Sequence, residues 1–194
     1  MDPWIAKTII LLGSCGLILI PHLQHRRGGG FAAVATSRKG PLEKALLILT
    51  AIAFLLTLVW VVTPALAAAN YPLHPVPLTV GAIWLAVGLW VLRRSHADLG
   101  KNWSITLELR ETHELVTRGI YRRVRHPMYS ALLLYALGQT LVLPNWIAGP
   151  AYLIAVALLA VLRIGPEERM MREKFGDEYV AYMIRSRRLI PGVW

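Results

Sequence analysis

Cysteine, acidic residues and familiar catalytic motifs are scarce in this sequence of 194 residues. Cys15 is the single cysteine, so the chain forms no intrachain disulfide, and we expect this thiol only to pack within its apolar run. The sequence has no Walker A loop and no G-x-G-x-x-G, H-E-x-x-H or C-x-x-C motif. These absences argue against nucleotide hydrolysis, a Rossmann cofactor domain and a zinc site.

Charged residues make up only 16% of the chain, whereas hydrophobic residues make up 56%. A soluble domain of this length could not bury so large an apolar share, so we expect lipid to be the main solvent. The 11 acidic residues are outnumbered by 21 Lys and Arg, which gives a net charge of +10. In so apolar a chain, this basic excess favours contact with anionic lipid over contact with nucleic acid.

Five stretches approach the roughly 20 apolar residues that a helix needs to cross a bilayer. They predict an all-α integral membrane protein of five transmembrane helices, with a single domain over residues 1–194. Its cytoplasmic regions are expected at residues 93–126 and 165–194, and the second region contains a C-terminal helix. The predicted spans cover residues 4–20, 42–69, 76–92, 127–143 and 146–164.

Lys and Arg alternate between rich and poor connecting segments along the chain. Residues 21–41, 93–126 and 163–194 hold four, eight and seven of them, whereas residues 70–75 and 143–146 hold none. Because basic residues collect on the cytoplasmic side of membrane spans, the N-terminus is predicted outside and the C-terminus in the cytoplasm. The candidate polar site is then cytoplasmic as well.

A His126-Pro127 pair lies where the basic inner loop passes into the predicted fourth span. Pro127 suits the first turn of a helix, where its missing N–H would have no partner in any case. His126 would then lie at the N-cap edge, where free backbone N–H groups favour anions, with Tyr129 on the first turn beside it. The alternative is a belt of Tyr, His and Arg that only anchors the protein at the membrane surface.

The inner loop before this pair carries two further signals. Residues 105–109 alternate apolar and polar side chains, which predicts a short strand or an extended segment on the membrane surface. Gly119 is expected at a turn, or at a place where the backbone passes close to another group.

The tail contains acids followed by an apolar stripe. Gly165-Pro166 is expected to break the fifth helix and to start another, with Glu167 and Glu168 in its first turn. The alternative is that these acids only favour the helix start. The stripe at helical spacing predicts a cytoplasmic helix that folds back onto the inner loop, and it consists of Met171, Phe175, Tyr179 and Tyr182.

Arg163 lies at the membrane end of the fifth span, where a charge is costly and often functional. The alternative is that its side chain only extends to the membrane surface. Together with the tail acids and the inner loop, it would form a polar site at the boundary between lipid and water. Such a site suits a water-borne cofactor that reacts with the head of a lipid-borne substrate.

Two runs of residues around the last two predicted spans resemble the isoprenylcysteine carboxyl methyltransferase family. The wider group also includes phospholipid N-methyltransferases and, more remotely, sterol reductases. The resemblance covers about residues 100–194 and departs at Ile120, where many relatives have proline. The matching positions are Leu115-Val116-Thr117, Gly119, Tyr121, Val124-Arg125-His126-Pro127, Tyr129, Glu167-Glu168, Phe175-Gly176, Tyr179, Tyr182, Arg187-Arg188 and Pro191.

The resemblance implies S-adenosyl-L-methionine as methyl donor and S-adenosyl-L-homocysteine as product, bound on the cytoplasmic side without a metal ion. Arg163 and Glu167 are the candidate catalytic residues, and Arg163 would hold the acceptor carboxylate through a bidentate pair. Which of Arg122, Arg123 and Arg125 contacts the cofactor stays open. The candidate cofactor-binding residues are His113, Leu115, Val116, Gly119, Tyr121, Arg125, His126, Tyr129, Glu167 and Glu168.

The expected reaction is methylation of the C-terminal carboxylate of a prenylated cysteine, or of a similar lipidic acid, that enters from the bilayer. Membrane lipids are the other expected partners, and nucleic acid is not expected. One alternative is N-methylation of a phospholipid amine, for which a glutamate would act as base. Another is a non-catalytic membrane protein whose basic loops bind anionic lipid. Residues 1–99 carry no recognised motif.

Overall fold

The computed structural model describes residues 3–27, 34–37, 40–100, 108–110 and 114–192. These residues are mostly helical. The helices are α1 (Pro3–Arg27), α2 (Pro41–Val62), α3 (Pro75–Leu99), α4 (Pro127–Val142), α5 (Ala148–Phe175) and α6 (Asp177–Arg185). The described residues also form two strands, β1 (Val34–Ser37) and β2 (Glu108–Arg110), and two 3-10 turns, Ala67–Ala69 and Gly119–Arg122.

Four of the described helices are long and apolar enough to cross a membrane, which confirms the predicted helical membrane fold. They are Pro3–Gln24, Pro41–Val62, Pro75–Leu99 and Ala148–Phe175. The predicted span at 127–143 is a helix, but α4 has only 16 residues. At 1.5 Å per residue it is about 24 Å long, which is less than a hydrocarbon core of about 30 Å. The predicted number of five spans is therefore not confirmed.

The predicted second span extends too far, because α2 ends at Val62 rather than at residue 69. Thr63 is extended (φ −134°, ψ 159°), and its N–H makes a final bond to the carbonyl of Val59. Pro64 follows, and a residue before proline is disfavoured in the α conformation. The chain then continues as a 3-10 turn on the way to α3.

The predicted helix break at Gly165-Pro166 is wrong, because α5 continues through Pro166 to Phe175. Proline removes one backbone hydrogen bond, but residues on both sides of it contact neighbouring helices. Arg163 lies 3.4 Å from Glu43 of α2, and Glu167 accepts a hydrogen bond from Tyr129 of α4. The break comes at Gly176, whose φ of +53° suits glycine. The predicted apolar stripe is therefore divided between two helices, and only its members on α6, Tyr179 and Tyr182, are fully buried.

Close backbone packing joins α3 and α4. A Cβ placed on Gly138 would lie 2.7 Å from the carbonyl oxygen of Gly81, so glycine is required at this crossing. Small residues allow such close approach of helices in membranes. The contact fixes the position of α4 against α3.

The hairpin between α4 and α5 is secured by Asn145, which is fully buried. Its side-chain oxygen accepts hydrogen bonds from the backbone N–H groups of Ile147 (3.0 Å) and Ala148 (2.9 Å), at the start of α5. Its amide donates to the carbonyl of Leu66 (2.7 Å) and to Asn70 Oδ1 (2.8 Å). The link between α2 and α3 is thereby tied to the α4–α5 hairpin at this end of the bundle.

The two strands form an antiparallel pair in which Ser37 lies opposite Glu108 and Thr36 opposite Leu109. β2 falls at the end of the predicted extended segment, and residues 105–107 of that segment lie outside the described residues. Cys15 does not pack inside the protein as expected, because it lies on the exposed face of α1. In a membrane-spanning helix, that face contacts lipid.

Candidate active site

Two basic residues of the tail, Arg187 and Arg188, are hydrogen-bonded along the start of α4. Val124 and Arg187 form a parallel bridge, in which the N–H of Arg125 donates to the carbonyl of Arg187 at 2.7 Å. The N–H of His126 donates to the carbonyl of Arg188 at 3.0 Å. These bonds bring the basic tail that follows α6 against the inner loop. The helix α6 itself also contacts this loop through Tyr182 and Tyr121, which agrees with the predicted cytoplasmic helix that folds back onto the loop.

Pro127 is the first residue of α4 and His126 is its N-cap, as predicted from the His-Pro pair. The ring of His126 is 8% exposed and lies between two carboxylates of α5. Its Nδ1 is 3.4 Å from Glu167 Oε2, and its Nε2 is 3.5 Å from Glu168 Oε1. Burial alone would lower the pKa of His126, but hydrogen bonds and the negative charges of Glu167 and Glu168 outweigh it and raise this pKa.

Glu168 is the best-paired acid of the cluster, with only 1% of its surface exposed. Arg125 Nε lies 3.0 Å from its Oε1, and Arg188 Nη2 lies 2.9 Å from its Oε2. Arg125 also donates to the carbonyls of Met183 (3.0 Å) and Ser186 (2.5 Å). Arg125 and Glu168 therefore join α5, the tail and the start of α4.

Glu167 points to the other side of the cluster and is partly exposed, with 24% of its side chain accessible. The hydroxyl of Tyr129 donates to Glu167 Oε1 at 2.5 Å. Arg163 Nη2 lies 3.5 Å from the same oxygen and 3.4 Å from Glu43 Oε1 of α2. Arg163 and Glu43 are 6% and 5% exposed, so this guanidinium is buried between carboxylates of two helices.

The loop before α4 is fixed at two points. Gly119 has a φ of +60°, and the side chain of Asp98 at the end of α3 lies against the place where its Cβ would stand. Asp98 Oδ2 accepts a hydrogen bond from the N–H of Ile120 at 2.9 Å, so the expected close backbone approach at Gly119 is confirmed. At the second point, the hydroxyl of Tyr182 donates to the carbonyl of Tyr121 at 2.6 Å.

The structure brings together six of the residues chosen from the sequence: Arg125, His126, Tyr129, Arg163, Glu167 and Glu168. Tyr121 is buried beside α6 on the preceding turn. Leu115 and Val116 are half-buried in the irregular segment before that turn, and His113 lies outside the described residues.

Sequence reasoning missed Glu43 and Asp98 and did not assign a role to Arg188. Glu43 had a detectable signal, because it is the one acid in the apolar sequence of α2 and such residues are often functional. Asp98 and Arg188 had no local signal, since their partners, Ile120 and Glu168, are about 20 residues away in the sequence.

The charges of this cluster fit a zwitterionic ligand. Glu168 is already paired with two guanidinium groups, whereas the partly exposed Glu167 can accept an ammonium group. The cationic form of His126 and the N-terminal end of α4 suit a carboxylate. Among the described residues, no group of three or more His, Cys, Asp or Glu could hold a metal ion.

Comparison with known proteins gives a matching family model, related sequences and a related structure. A sequence model of a family described as phospholipid methyltransferase matches residues 76–178. Protein-S-isoprenylcysteine O-methyltransferase B of Arabidopsis thaliana is 30% identical over 115 residues, which are 58% of this chain and 58% of that protein. The A enzyme of the same plant is 29% identical over 134 residues, which are 68% of each chain. The chain thus spans less than two thirds of the B enzyme.

A solved structure also matches. It is that of the eukaryotic intramembrane Ras methyltransferase, an isoprenylcysteine carboxyl methyltransferase, with a TM-score of 0.55 and 24% identity. The match covers 80% of this chain and 54% of that protein. At this identity the likeness establishes a shared helical membrane fold.

Proposed function

Because the chain belongs to the phospholipid methyltransferase family, we propose that it is a membrane-embedded S-adenosylmethionine-dependent methyltransferase acting on a lipid-borne carboxylate. The acceptor is the C-terminal carboxylate of a prenylated cysteine or a similar lipidic acid. The observation that carries this choice is the buried guanidinium of Arg163, 3.5 Å from the partly exposed Glu167. The curated relatives named as isoprenylcysteine O-methyltransferases support the same choice.

The donor supplies a methyl group on a positively charged sulfur when it is bound. Glu167 would pair with its ammonium, since this carboxylate is reachable and Glu168 is not. The N-terminal end of α4 would hold its carboxylate, and the cationic form of His126 would add a positive charge beside it. Leu115, Val116 and Tyr121 would contribute apolar and aromatic contacts to its adenine.

The acceptor carboxylate needs no general base. An α-carboxyl group has a pKa of about 3.5, so it is ionised at neutral pH. One carboxylate oxygen forms a bond to the methyl carbon as the bond between that carbon and sulfur breaks. The acceptor would become an ester as the donor is released as a neutral thioether, and no proton would move. Arg163 would hold the carboxylate in the orientation that the reaction requires. Such positioning is the main way in which the protein can increase the rate of this reaction.

The site is proposed to face the cytoplasm, with the N-terminus of the chain outside. The support is the alternation of Lys and Arg between connecting segments. The prenyl chain would enter from the bilayer toward the middle of α5, where Arg163 lies. Membrane lipids surround the exposed apolar faces of the spanning helices.

N-methylation of a phospholipid amine is the second candidate. Two observations favour it: the description of the matching family, and the presence of two carboxylates, Glu43 and Glu167, on the single guanidinium of Arg163. A protonated amine must first lose a proton, and Glu167 would have to act as base. The rate of this reaction would rise steeply with pH, whereas the rate of carboxylate methylation would stay flat above about pH 6 because the acceptor is already ionised.

The test is a competition assay with the full chain in lipid vesicles and methyl-labelled S-adenosylmethionine. N-acetyl-S-farnesylcysteine and phosphatidylethanolamine are supplied separately and together. Label in a base-labile ester of farnesylcysteine supports the proposal. Label only in the phospholipid amine supports the second candidate and contradicts the first.

A further inference from the structure

We infer that Glu43 pairs with Arg163 in the acceptor site whenever no acceptor carboxylate is bound. It does so before the acceptor binds and again after the ester has formed. This inference rests on the proposed function, since it assigns Arg163 to a carboxylate acceptor. It adds a residue of α2, from the half of the chain that carries no recognised motif.

The geometry places Glu43 and Glu167 on the same nitrogen of Arg163. Nη2 lies 3.4 Å from Glu43 Oε1 and 3.5 Å from Glu167 Oε1. Glu43 comes from the first turn of α2, whereas Arg163 and Glu167 are one turn apart on α5. The guanidinium is therefore shared between a carboxylate on its own helix and a carboxylate on a neighbouring one.

Burial makes a counter-ion for Arg163 necessary in every state of the site. The side chains of Arg163 and Glu43 are 8% and 5% exposed, and an unpaired charge at such a position is strongly destabilising. Once Glu167 pairs with the ammonium of a bound donor, Glu43 still neutralises Arg163. Glu43 is also the one acid in the sequence of α2, where an ionisable residue is costly to keep.

The reaction changes the charge that Arg163 faces. An acceptor carboxylate brings a second anion to the guanidinium and competes with Glu43 for it. The ester product carries no charge, so Glu43 then pairs with Arg163 unopposed. Glu43 thereby weakens binding of the acceptor before reaction and favours release of the ester.

The test is Glu43→Gln, which keeps the shape of the side chain and removes its charge. The KM of this variant for farnesylcysteine should fall by about fivefold or more. A factor of this size is common when one binding group changes the affinity for another. The farnesylcysteine carboxylate should also raise the melting temperature of this variant more than that of the parent, without any donor present. Glu178→Gln is the matched control, since Glu178 is an exposed acid in the first turn of α6, and its KM should equal that of the parent.

A parent that is active on farnesylcysteine, with an unchanged or raised KM in Glu43→Gln, overturns the inference and leaves the proposed function standing. A parent that transfers no methyl group to the carboxylate overturns the proposed function itself. If Glu43→Gln does not fold, Glu43→Asp takes its place, because the shorter acid lies farther from Arg163. The KM of Glu43→Asp should then be below that of the parent, and an equal or higher KM overturns the inference.

Discussion

Arg125 and Glu168 form a buried ion pair, with 3.0 Å between Nε and Oε1, although 43 residues separate them in the chain. Their side chains are 8% and 1% exposed. Because Arg125 also donates to the carbonyls of Met183 and Ser186, it connects the inner loop, α5 and the tail. Both residues are therefore better suited to holding the site together than to binding a ligand directly.

Replacement of Arg125 by Gln should destabilise the protein by about 3 kcal/mol, because it leaves part of the buried charge of Glu168 without a partner. The measurement is thermal unfolding in a fixed detergent. Arg122→Gln is the control, since Arg122 is exposed one turn away. Equal melting temperatures of the two variants would show that the ion pair does not hold the fold together.

Replacement of Asp98 by Ala should release the loop that carries Gly119 and weaken donor binding, because the N–H of Ile120 loses its acceptor. Asp98→Asn keeps an oxygen at the same place and should bind the donor nearly as well as the parent. Calorimetric Kd values for S-adenosylmethionine provide the comparison. Asp98→Ala with the affinity of the parent would contradict a positioning role for Asp98.

Gly119→Ala should be unfavourable for two reasons. Its φ of +60° costs an L-residue about 1–2 kcal/mol, and the new methyl group would meet the carboxylate of Asp98. The expected result is a lower melting temperature together with a weaker Kd for the donor. Gly165→Ala is the control, because its Cβ would meet open space.

Glu167→Gln should raise the Kd for S-adenosylmethionine by about tenfold or more, because the proposed partner of the ammonium loses its charge. The control is again Glu178→Gln on α6. Unchanged calorimetric affinity in Glu167→Gln would remove this residue from the proposed donor site.

The pKa of His126 is raised in the folded protein, so protonation of this ring stabilises the fold. The contribution should be present in full below about pH 6.5, the ordinary pKa of histidine, and be lost as pH rises through the raised value. Unfolding measured across this range should show stability falling with rising pH in the parent. The stability of His126→Gln should fall less than that of the parent over the same pH range. A pH profile identical to that of the parent would exclude His126 as the cause of the pH dependence.

Much of the helical layout could be predicted, because long apolar runs and the distribution of basic residues are local signals. The helix start at Pro127 and the close approach at Gly119 were likewise visible in the sequence. The continuation of α5 through Pro166 could not be predicted, since it depends on packing against α2 and α4. The pairing of Arg163 with Glu43 could not be predicted either, because 120 positions of sequence separate residues that only the packing of α2 on α5 brings together.

The central claim is that Arg163 holds an acceptor carboxylate beside a methyl donor. The most direct measurement is methyl transfer from labelled S-adenosylmethionine to N-acetyl-S-farnesylcysteine by the parent and by Arg163→Lys, with the Kd for the donor measured on the same samples. Lysine keeps the buried charge but cannot form the bidentate pair. The parent is expected to form the ester. In the variant, kcat/KM should be about 100-fold lower, a loss equal to about 2.7 kcal/mol, while the Kd for the donor stays within about twofold of the parent. Full turnover by Arg163→Lys, or the absence of farnesylcysteine ester with the parent, would contradict it.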